Sequence, residues 1–258
     1  MKLKKSYLAM APAVLMGAQA AMVQAAQLEE VVVTATKRAQ TAQDIPMSVE
    51  VVSGQAMSQA GIRDMADLSA SVPGFMVSEA AGDRNITMRG MGSPSGQRGM
   101  EQAVAMYVDG VYKPRGRQYY TAFLDVDRVE VLRGPQAVLF GINATAGAVN
   151  VLSKSNRPGD EFEASVKIGT ELENGGEIAE ISLGGGIGES VGLRGVIKYE
   201  DLDGYADTRS GPGGQDENLS GRLSLVWEAT ENVTLTAKAD YFDNTYEGQL
   251  TEQICGLP

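Results

Sequence analysis

The segment Val233-Thr234-Leu235-Thr236-Ala237-Lys238-Ala239-Asp240-Tyr241 alternates apolar and polar side chains without a break. Successive side chains of an extended chain point to opposite faces, so this segment predicts a β-strand with one apolar and one polar face. The same alternation recurs in four earlier segments, residues 162–168, 179–183, 191–199 and 219–227. We therefore expect five successive strands in one antiparallel sheet, with a hairpin turn at the glycine-rich residues 184–188.

Alternation alone does not separate a membrane barrel from a sheet that is exposed on one side. Two details favour the barrel. The segments are about ten residues long, which is the length of a tilted membrane-crossing strand, and Tyr199, Trp227 and Tyr241 are predicted near strand ends, where aromatic girdles form. The connection over 201–218 is long, acidic and glycine-rich, whereas that over 229–232 is short. Long loops that alternate with short turns are typical of membrane barrels.

Five strands leave two open sheet edges. In lipid, each unsatisfied backbone group at such an edge costs several kcal/mol. We therefore expect the sequence to be truncated inside an outer loop, or the strand region to need a partner.

The region before these strands, about residues 44–154, mixes both kinds of secondary structure. Strands are predicted over 48–52, 86–90, 103–108, 126–132 and 148–152. Met57, Ile62, Met65 and Leu68 recur near helical spacing and predict one helix over 58–69. The region is expected to form a compact globule of ordinary domain size.

The first residues have the three parts of a secretory signal. Lys2, Lys4 and Lys5 precede an apolar run over 7–16, and small residues around Ala25 offer a cleavage site. The run is too short for a transmembrane helix, which needs about 20 apolar residues. We expect a cleaved signal peptide over 1–26.

Composition argues against several functions. The net charge of −11 disfavours binding to nucleic acid. The sequence has no histidine, which excludes histidine-based catalytic triads and most catalytic zinc sites, and it lacks a Gly-x-Ser-x-Gly elbow. The single cysteine, Cys255, cannot form an internal disulfide; its partner is expected outside this sequence, and a free thiol is the alternative. We expect no enzyme activity, no cofactor and no metal.

The globular region carries six motifs in a fixed order, and together they resemble the plug domain of TonB-dependent outer-membrane receptors. The most specific is the run over 129–135. Two residues depart from the family pattern: Ile142 stands where Arg is common, and Ala146 where Gly is common. The motifs are Asp44-Ile45-Pro46-Met47-Ser48-Val49, Val72-Pro73-Gly74, Ile86-Thr87-Met88-Arg89-Gly90, Met106-Tyr107-Val108-Asp109-Gly110-Val111-Tyr112, Arg128-Val129-Glu130-Val131-Leu132-Arg133-Gly134-Pro135-Gln136 and Leu139-Phe140-Gly141-Ile142-Asn143-Ala144-Thr145-Ala146-Gly147-Ala148-Val149-Asn150-Val151.

The resemblance implies an α+β plug domain followed by the opening antiparallel strands of a transmembrane β-barrel, which has about 22 strands when complete. The implied division is a signal peptide over 1–26, a TonB box and linker over 27–43, the plug over 44–155 and the N-terminal part of the barrel over 156–258. The TonB box would add a strand to a sheet of TonB through backbone hydrogen bonds. An ordinary first strand docked on the plug is the alternative. The box residues are Glu29, Glu30, Val31, Val32, Val33, Thr34 and Ala35.

The implied function is active import of a scarce solute across the bacterial outer membrane, with a ferric siderophore as the leading candidate. The implied partners are TonB with its proton-driven inner-membrane complex, outer-membrane lipid and a small-molecule ligand. Haem, cobalamin and oligosaccharide remain open as substrates. A passive gated pore, an adhesin and a secreted β-rich enzyme are the alternatives from other classes.

Two loops of the plug, 92–99 and 113–120, are the ligand candidates, because cationic and aromatic groups suit an anionic or aromatic ligand. The alternative is that the arginines pair with acids of the barrel. Two further arginines are expected as buried charges that pair with Glu161, Glu163 or Glu180, and Glu130 is expected to pair within the plug. The ligand candidates are Arg98, Arg115, Arg117, Tyr119 and Tyr120, and the structural candidates are Arg89, Gly90, Glu130, Arg133, Gly134 and Pro135.

Overall fold

A computed structural model of the chain describes residues 32–33, 40–41, 48–80, 83–93, 100–172, 175–204, 206–208 and 211–247. The predicted signal peptide and Cys255 lie outside these residues. We call residues 48–153 the plug and the five-stranded sheet formed by strands between residues 163 and 247 the wall sheet. The strands are β1 (Val32–Val33), β2 (Gln40–Thr41), β3 (Ser48–Ser53), β4 (Phe75–Ala80), β5 (Asp83–Met88), β6 (Met91–Gly92), β7 (Val104–Val108), β8 (Val111–Tyr112), β9 (Val126–Arg133), β10 (Gly147–Ser153), β11 (Glu163–Thr170), β12 (Gly176–Ile187), β13 (Val191–Leu202), β14 (Ala206–Thr208), β15 (Gly211–Gly213), β16 (Gln215–Thr230) and β17 (Val233–Glu247).

The plug is built on a mixed five-stranded sheet in the order β3-β9-β10-β7-β8. The central strand β10 pairs parallel with β7 and antiparallel with β9. Both faces of β7, β9 and β10 are largely buried, which explains why these strands read as nearly continuous apolar runs. A second, three-stranded sheet contains β4, β5 and β6. Strand β4 was not predicted from the sequence.

The predicted single helix over 58–69 was wrong, because two short helices occupy this region: α1 (Gly54–Gln59) and α2 (Met65–Ser71). The chain breaks at Gly61, whose φ is +69°. Asp64 then caps α2 by accepting a hydrogen bond from the Asp67 backbone N–H at 2.9 Å. A 3₁₀ helix (Gly116–Phe123) and a short α3 (Ala137–Phe140) complete the plug. In the described part of the chain, no helix is both long and apolar enough to cross a membrane.

The main apolar core of the plug lies between one face of its large sheet, the two helices and the β4–β5 hairpin. Met65, Leu68 and Phe75 from the helical side meet Met106 and Val149 from the sheet, and all are at most 1% exposed. The opposite face of the sheet carries a smaller cluster around Leu132. The two clusters make the plug a two-sided globule centred on β10.

The five predicted alternating strands are confirmed, because β11, β12, β13, β16 and β17 form one antiparallel sheet in that order. The predicted hairpin turn at 184–188 was wrong for its first residues: Gly184, Gly185 and Gly186 lie inside β12, and the turn follows at 188–190. The Gly186 backbone N–H donates to the Asp160 carbonyl at 2.9 Å, so this glycine is held in the strand by the segment that enters the sheet. The long connection is shorter than predicted, since β13 extends to Leu202 and β16 begins at Gln215.

The wall sheet separates its side chains as the alternation predicts. Ile181, Ile197 and Leu223 are at least half exposed on the outer face, whereas Arg222 and Ser224 are buried on the inner face. Tyr199 and Trp227 stand near opposite ends of the sheet. The prediction that Tyr241 lies near a strand end was wrong. Tyr241 pairs with Gly221 in the middle of β16 and β17.

Candidate functional site

The inner face of the wall sheet touches the plug through ion pairs. Arg194 on β13 donates from Nε and Nη2 to the two carboxylate oxygens of Asp125, at 2.5 and 2.9 Å. Both side chains are more than nine-tenths buried. A two-bond arginine–carboxylate contact is among the stronger polar contacts in proteins and fixes the relative orientation of the groups that it joins.

A second contact is centred on Asp109, in the tight turn between β7 and β8. Its carboxylate accepts from the Ser153 backbone N–H at 2.9 Å, from Ser153 Oγ at 2.7 Å and from Lys238 Nζ at 2.8 Å. Burial opposes ionisation of this carboxyl, but the hydrogen bonds from Lys238 and Ser153 outweigh burial and lower the pKa of Asp109. Asp109 is therefore ionised at neutral pH and binds the end of β10 to β17.

Arg222 lies between these two contacts on the inner face of β16. It donates from Nη1 to the Leu124 carbonyl at 2.9 Å and from Nε to Asp240 at 2.6 Å. Asp109 lies 4.0 Å away. Cations from three neighbouring strands, β13, β16 and β17, thus face one edge of the plug.

The predicted partners of the plug arginines were wrong. Arg133 pairs with Glu50 of the neighbouring plug strand rather than with an acid of the wall sheet. Arg89 is exposed, with a φ of +52° in the turn after β5, so it is not a buried charge. Glu180 is bound by Lys167 at 2.8 Å. At Asp125 and Asp109 the charges across the interface have the opposite arrangement to the predicted one, with carboxylates on the plug and cations on the wall. Arg63 of the plug, which binds Glu171 at the end of β11, has the predicted arrangement.

The other structural candidates lie inside the plug or in its turns. Glu130 is fully buried in β9, and it accepts from Arg128 Nε and Asn150 Nδ2 at 3.0 Å each. Gly90 and Gly134 have φ angles of +79° and +96°, which an L-residue rarely adopts. Pro135 is exposed after Gly134, between β9 and α3.

The ligand candidates are not gathered in one place by the described residues. Tyr119 is 1% exposed and belongs to the main core, so the prediction that it contacts ligand was wrong. Arg115 is exposed just before that helix. Arg117 and Tyr120 belong to the helix, but their side chains lie outside the described structure, as does all of Arg98.

A polar cleft separates the plug helices from the wall sheet. Two adjoining cavities of about 160 and 500 Å³ share Arg63, Phe123 and Lys198 in their linings. Lys198 pairs with Glu200 at 2.7 Å, and Arg63 reaches Glu171 at 3.0 Å. Paired charges of both signs keep such a cleft hydrated without favouring one sign of ligand. In the described ranges no group of three His, Cys, Asp or Glu side chains is placed to hold a metal ion.

The predicted TonB box is described only at Val32 and Val33. These two residues pair antiparallel with Thr41 and Gln40, in a sheet of their own apart from the plug sheet. The rest of the box lies outside the described residues.

Comparison with known proteins agrees with this architecture. Residues 41–148 match the family model of the TonB-dependent receptor plug domain. The chain is 29% identical over 151 residues to an iron-regulated outer membrane virulence protein of Vibrio cholerae, covering 56% of this chain and 22% of that protein. It is 26% identical over 229 residues to a hemin receptor of Yersinia pestis, covering 84% and 32%.

The crystal structure of the ferric yersiniabactin uptake receptor of Yersinia pestis superposes with a TM-score of 0.65 at 25% identity, over 77% of this chain and 32% of that one. The chain therefore spans about a fifth to a third of the length of these proteins. The two Yersinia pestis proteins are named as receptors. Residues 41–148 are therefore a plug domain of the TonB-dependent receptor type, and the chain is similar in sequence and fold to the plug and first barrel strands of TonB-dependent outer-membrane receptors.

Proposed function

We propose that the receptor containing this chain imports a scarce solute, most directly an iron chelate, across the bacterial outer membrane, and that TonB drives the import. The observation that carries the proposal is a plug domain attached by a buried ion pair to the polar face of a sheet whose other face is apolar. Such a globule blocks the bore of a barrel at rest. A solute larger than the remaining cleft then needs the plug to rearrange.

TonB would supply the work through residues 29–35. An extended β-branched segment near a free end can add a strand to a partner sheet by backbone hydrogen bonds. Val32 and Val33 already pair as a strand with β2. Because this pairing involves only two residues on each side, little has to be broken before TonB takes the place of β2.

The test is made in the complete receptor. Deleting residues 29–35 is expected to abolish uptake and to leave ligand binding at the cell surface unchanged. Val33→Pro removes a backbone donor and is expected to act like the deletion, whereas Val33→Thr keeps the strand and is expected to preserve uptake. Uptake that survives both the deletion and Val33→Pro would favour the passive pore or adhesin.

The proposed ligand follows from the relatives. One relative is named a hemin receptor, one structure is that of a ferric yersiniabactin receptor, and a third protein is named as iron-regulated. We therefore place iron chelates first, ahead of cobalamin and oligosaccharide. Competition of labelled ferric siderophore uptake by haem, cobalamin and oligosaccharide separates these classes, because only a true ligand of the same site competes.

The same proposal includes a division of the chain. Residues 1–26 act as a cleaved export signal, 27–43 carry the TonB box and linker, 44–155 form the plug, and 156–258 contribute to the barrel. The N-terminal sequence of the mature protein tests the first boundary, and protease accessibility from the periplasmic side tests where the TonB box lies.

A further inference from the structure

The connector from the plug to the wall sheet, residues 154–162, lies in a groove lined by glycines. Gly184, Gly186 and Gly192 all belong to the inner face of the β12–β13 hairpin. A Cβ added at Gly184 or Gly192 would overlap Asn156, and one at Gly186 would overlap the backbone of Gly159. At Gly186 and Gly192 the overlap is with backbone atoms, which cannot move aside as the Asn156 side chain opposite Gly184 can, so these two positions admit the connector only when they are glycine.

Arg194 lies in the same hairpin and holds the connector from one side. Besides its two bonds to Asp125, it donates from Nη1 to Asn156 Oδ1 at 3.3 Å. Arg194, Asp125 and Asn156 are each at least nine-tenths buried. Arg194 is thus bound both to Asp125, immediately before β9, and to Asn156 of the connector, just after β10.

Asp125 is itself fixed to the beginning of the connector. Its carbonyl accepts from the Lys154 backbone N–H at 2.9 Å, and its φ is +49°. A residue with a Cβ keeps such a backbone when its surroundings hold it there. The two bonds from Arg194 and the bond from Lys154 provide that restraint.

We propose that Arg194 is a positioning residue: with the glycine groove, it fixes the exit of the plug to the barrel wall and so keeps the resting receptor closed. The inference rests on the proposed function in one respect, that the wall sheet belongs to a barrel that the plug obstructs. It does not involve TonB or ligand. Removing Arg194 leaves the buried Asp125 carboxylate without its two bonds from the wall, which is strongly destabilising for such a contact. Removing the Asp125 carboxylate leaves the buried Arg194 with only the longer contact to Glu163, at 3.6 Å, among its ion pairs in the described residues.

The test uses the purified complete receptor in planar lipid bilayers, without ligand or TonB. The unaltered receptor is expected to be closed. Arg194→Ala and Asp125→Asn are expected to raise the conductance per receptor at least tenfold. Arg194→Lys keeps the charge but loses the two-bond geometry, so its conductance is expected to lie between that of the unaltered receptor and that of Arg194→Ala. The Asp125→Asn variant keeps a side chain of the same shape that tolerates a positive φ, so it removes the charge with little change to the backbone.

The glycine groove gives a second, independent variant with a matched control on the same strand. Gly192→Ala is expected to displace the connector and to open the receptor. Gly195→Ala is expected to leave it closed, because a Cβ there faces the outer side and meets only Leu223 at 3.9 Å. Retention of the folded-barrel mobility of unheated samples on gels shows which variants have folded.

If Arg194→Ala fails to fold, Asp125→Asn and Gly192→Ala decide the question. Folded Asp125→Asn and Gly192→Ala receptors that are as closed as the unaltered protein would overturn the proposal. Double substitution of Asp125 and Arg194 is expected to open the receptor no more than either single change, since both remove the same contact. These conductances are measured without ligand or TonB, so they do not depend on whether the receptor imports a solute. Failure of the import proposal is therefore distinguished from failure of the proposal for Arg194.

Discussion

At the scale of single residues, Asp109 and Asp125 have the same unusual geometry. Their φ angles are +50° and +49°, and the carboxylate of each is bound by a cation of the wall sheet. A left-handed backbone costs a non-glycine residue about 1 kcal/mol or more. Aspartate tolerates this conformation better than most residues. The left-handed backbone can therefore be combined with a carboxylate that binds a cation of the wall sheet.

The lowered pKa of Asp109 predicts how its contact depends on pH. A carboxyl whose pKa is lower in the folded state stabilises that state above its unfolded pKa of about 4, and the gain is lost as the pH falls through the folded pKa. We therefore expect the Asp109 contact to persist at neutral and mildly acidic pH. Asp109→Asn is expected to remove this dependence.

Hydrogen exchange of the Ser153 amide is the measurement, because this N–H donates directly to Asp109. Exchange of a β10 amide that bonds only to backbone, such as that of Val149, is the internal control. Equal protection of Ser153 in the unaltered receptor and in Asp109→Asn would contradict the prediction.

At the scale of elements, the junction between α1 and α2 shows how local signals override a helical period. The apolar residues have the spacing of one helix, but Gly61 takes a left-handed conformation and Asp64 starts a new helix. Asp64 also pairs with Arg84 of β5 at 2.8 Å. The cap thus joins α2 to the neighbouring hairpin.

Asp64→Ala is expected to destabilise α2 by about 1 kcal/mol, the usual cost of losing an N-cap. Faster hydrogen exchange over 65–71 in the purified receptor is the measurement. Ser69→Ala is the control, since Ser69 donates only to the Ala66 carbonyl within the helix. Similar exchange in both variants would show that the cap contributes nothing.

At the scale of the whole molecule, the two faces of the wall sheet define the environment on each side. Outward residues from the row of Trp227 to the row of Tyr199 span eight residues of strand. This is about 27 Å along the strand at 3.4 Å per residue, and about 20 Å in height for a strand tilted by about 40°. An apolar band on an outer-membrane barrel is about 25 Å tall. The neighbouring row beyond Tyr199, which includes Asp201 and Glu217, is acidic.

Leu223 lies near the middle of this band and is 53% exposed. Leu223→Arg is expected to cost about 2–4 kcal/mol in the membrane and to reduce the folded fraction in outer-membrane preparations. Leu172→Arg is the control, because Leu172 is 92% exposed in the connection between β11 and β12, beyond the band. Equal folded fractions for the two variants would argue against lipid contact at Leu223.

The sequence by itself determined the five alternating strands and the order of the plug motifs, because strand period and turn residues act over a few neighbouring positions. Arg194, Arg222 and Lys238 were visible as polar positions on those strands. Their partners were not visible, since Asp125 and Arg194 are separated by 69 residues and meet only when the plug is packed on the wall. Only the tertiary structure decided that Arg133 binds Glu50 and that Tyr119 belongs to the core. It also showed that the glycines after Leu183 contact the connector rather than form a turn. Each of these depends on which distant segment packs against the residue.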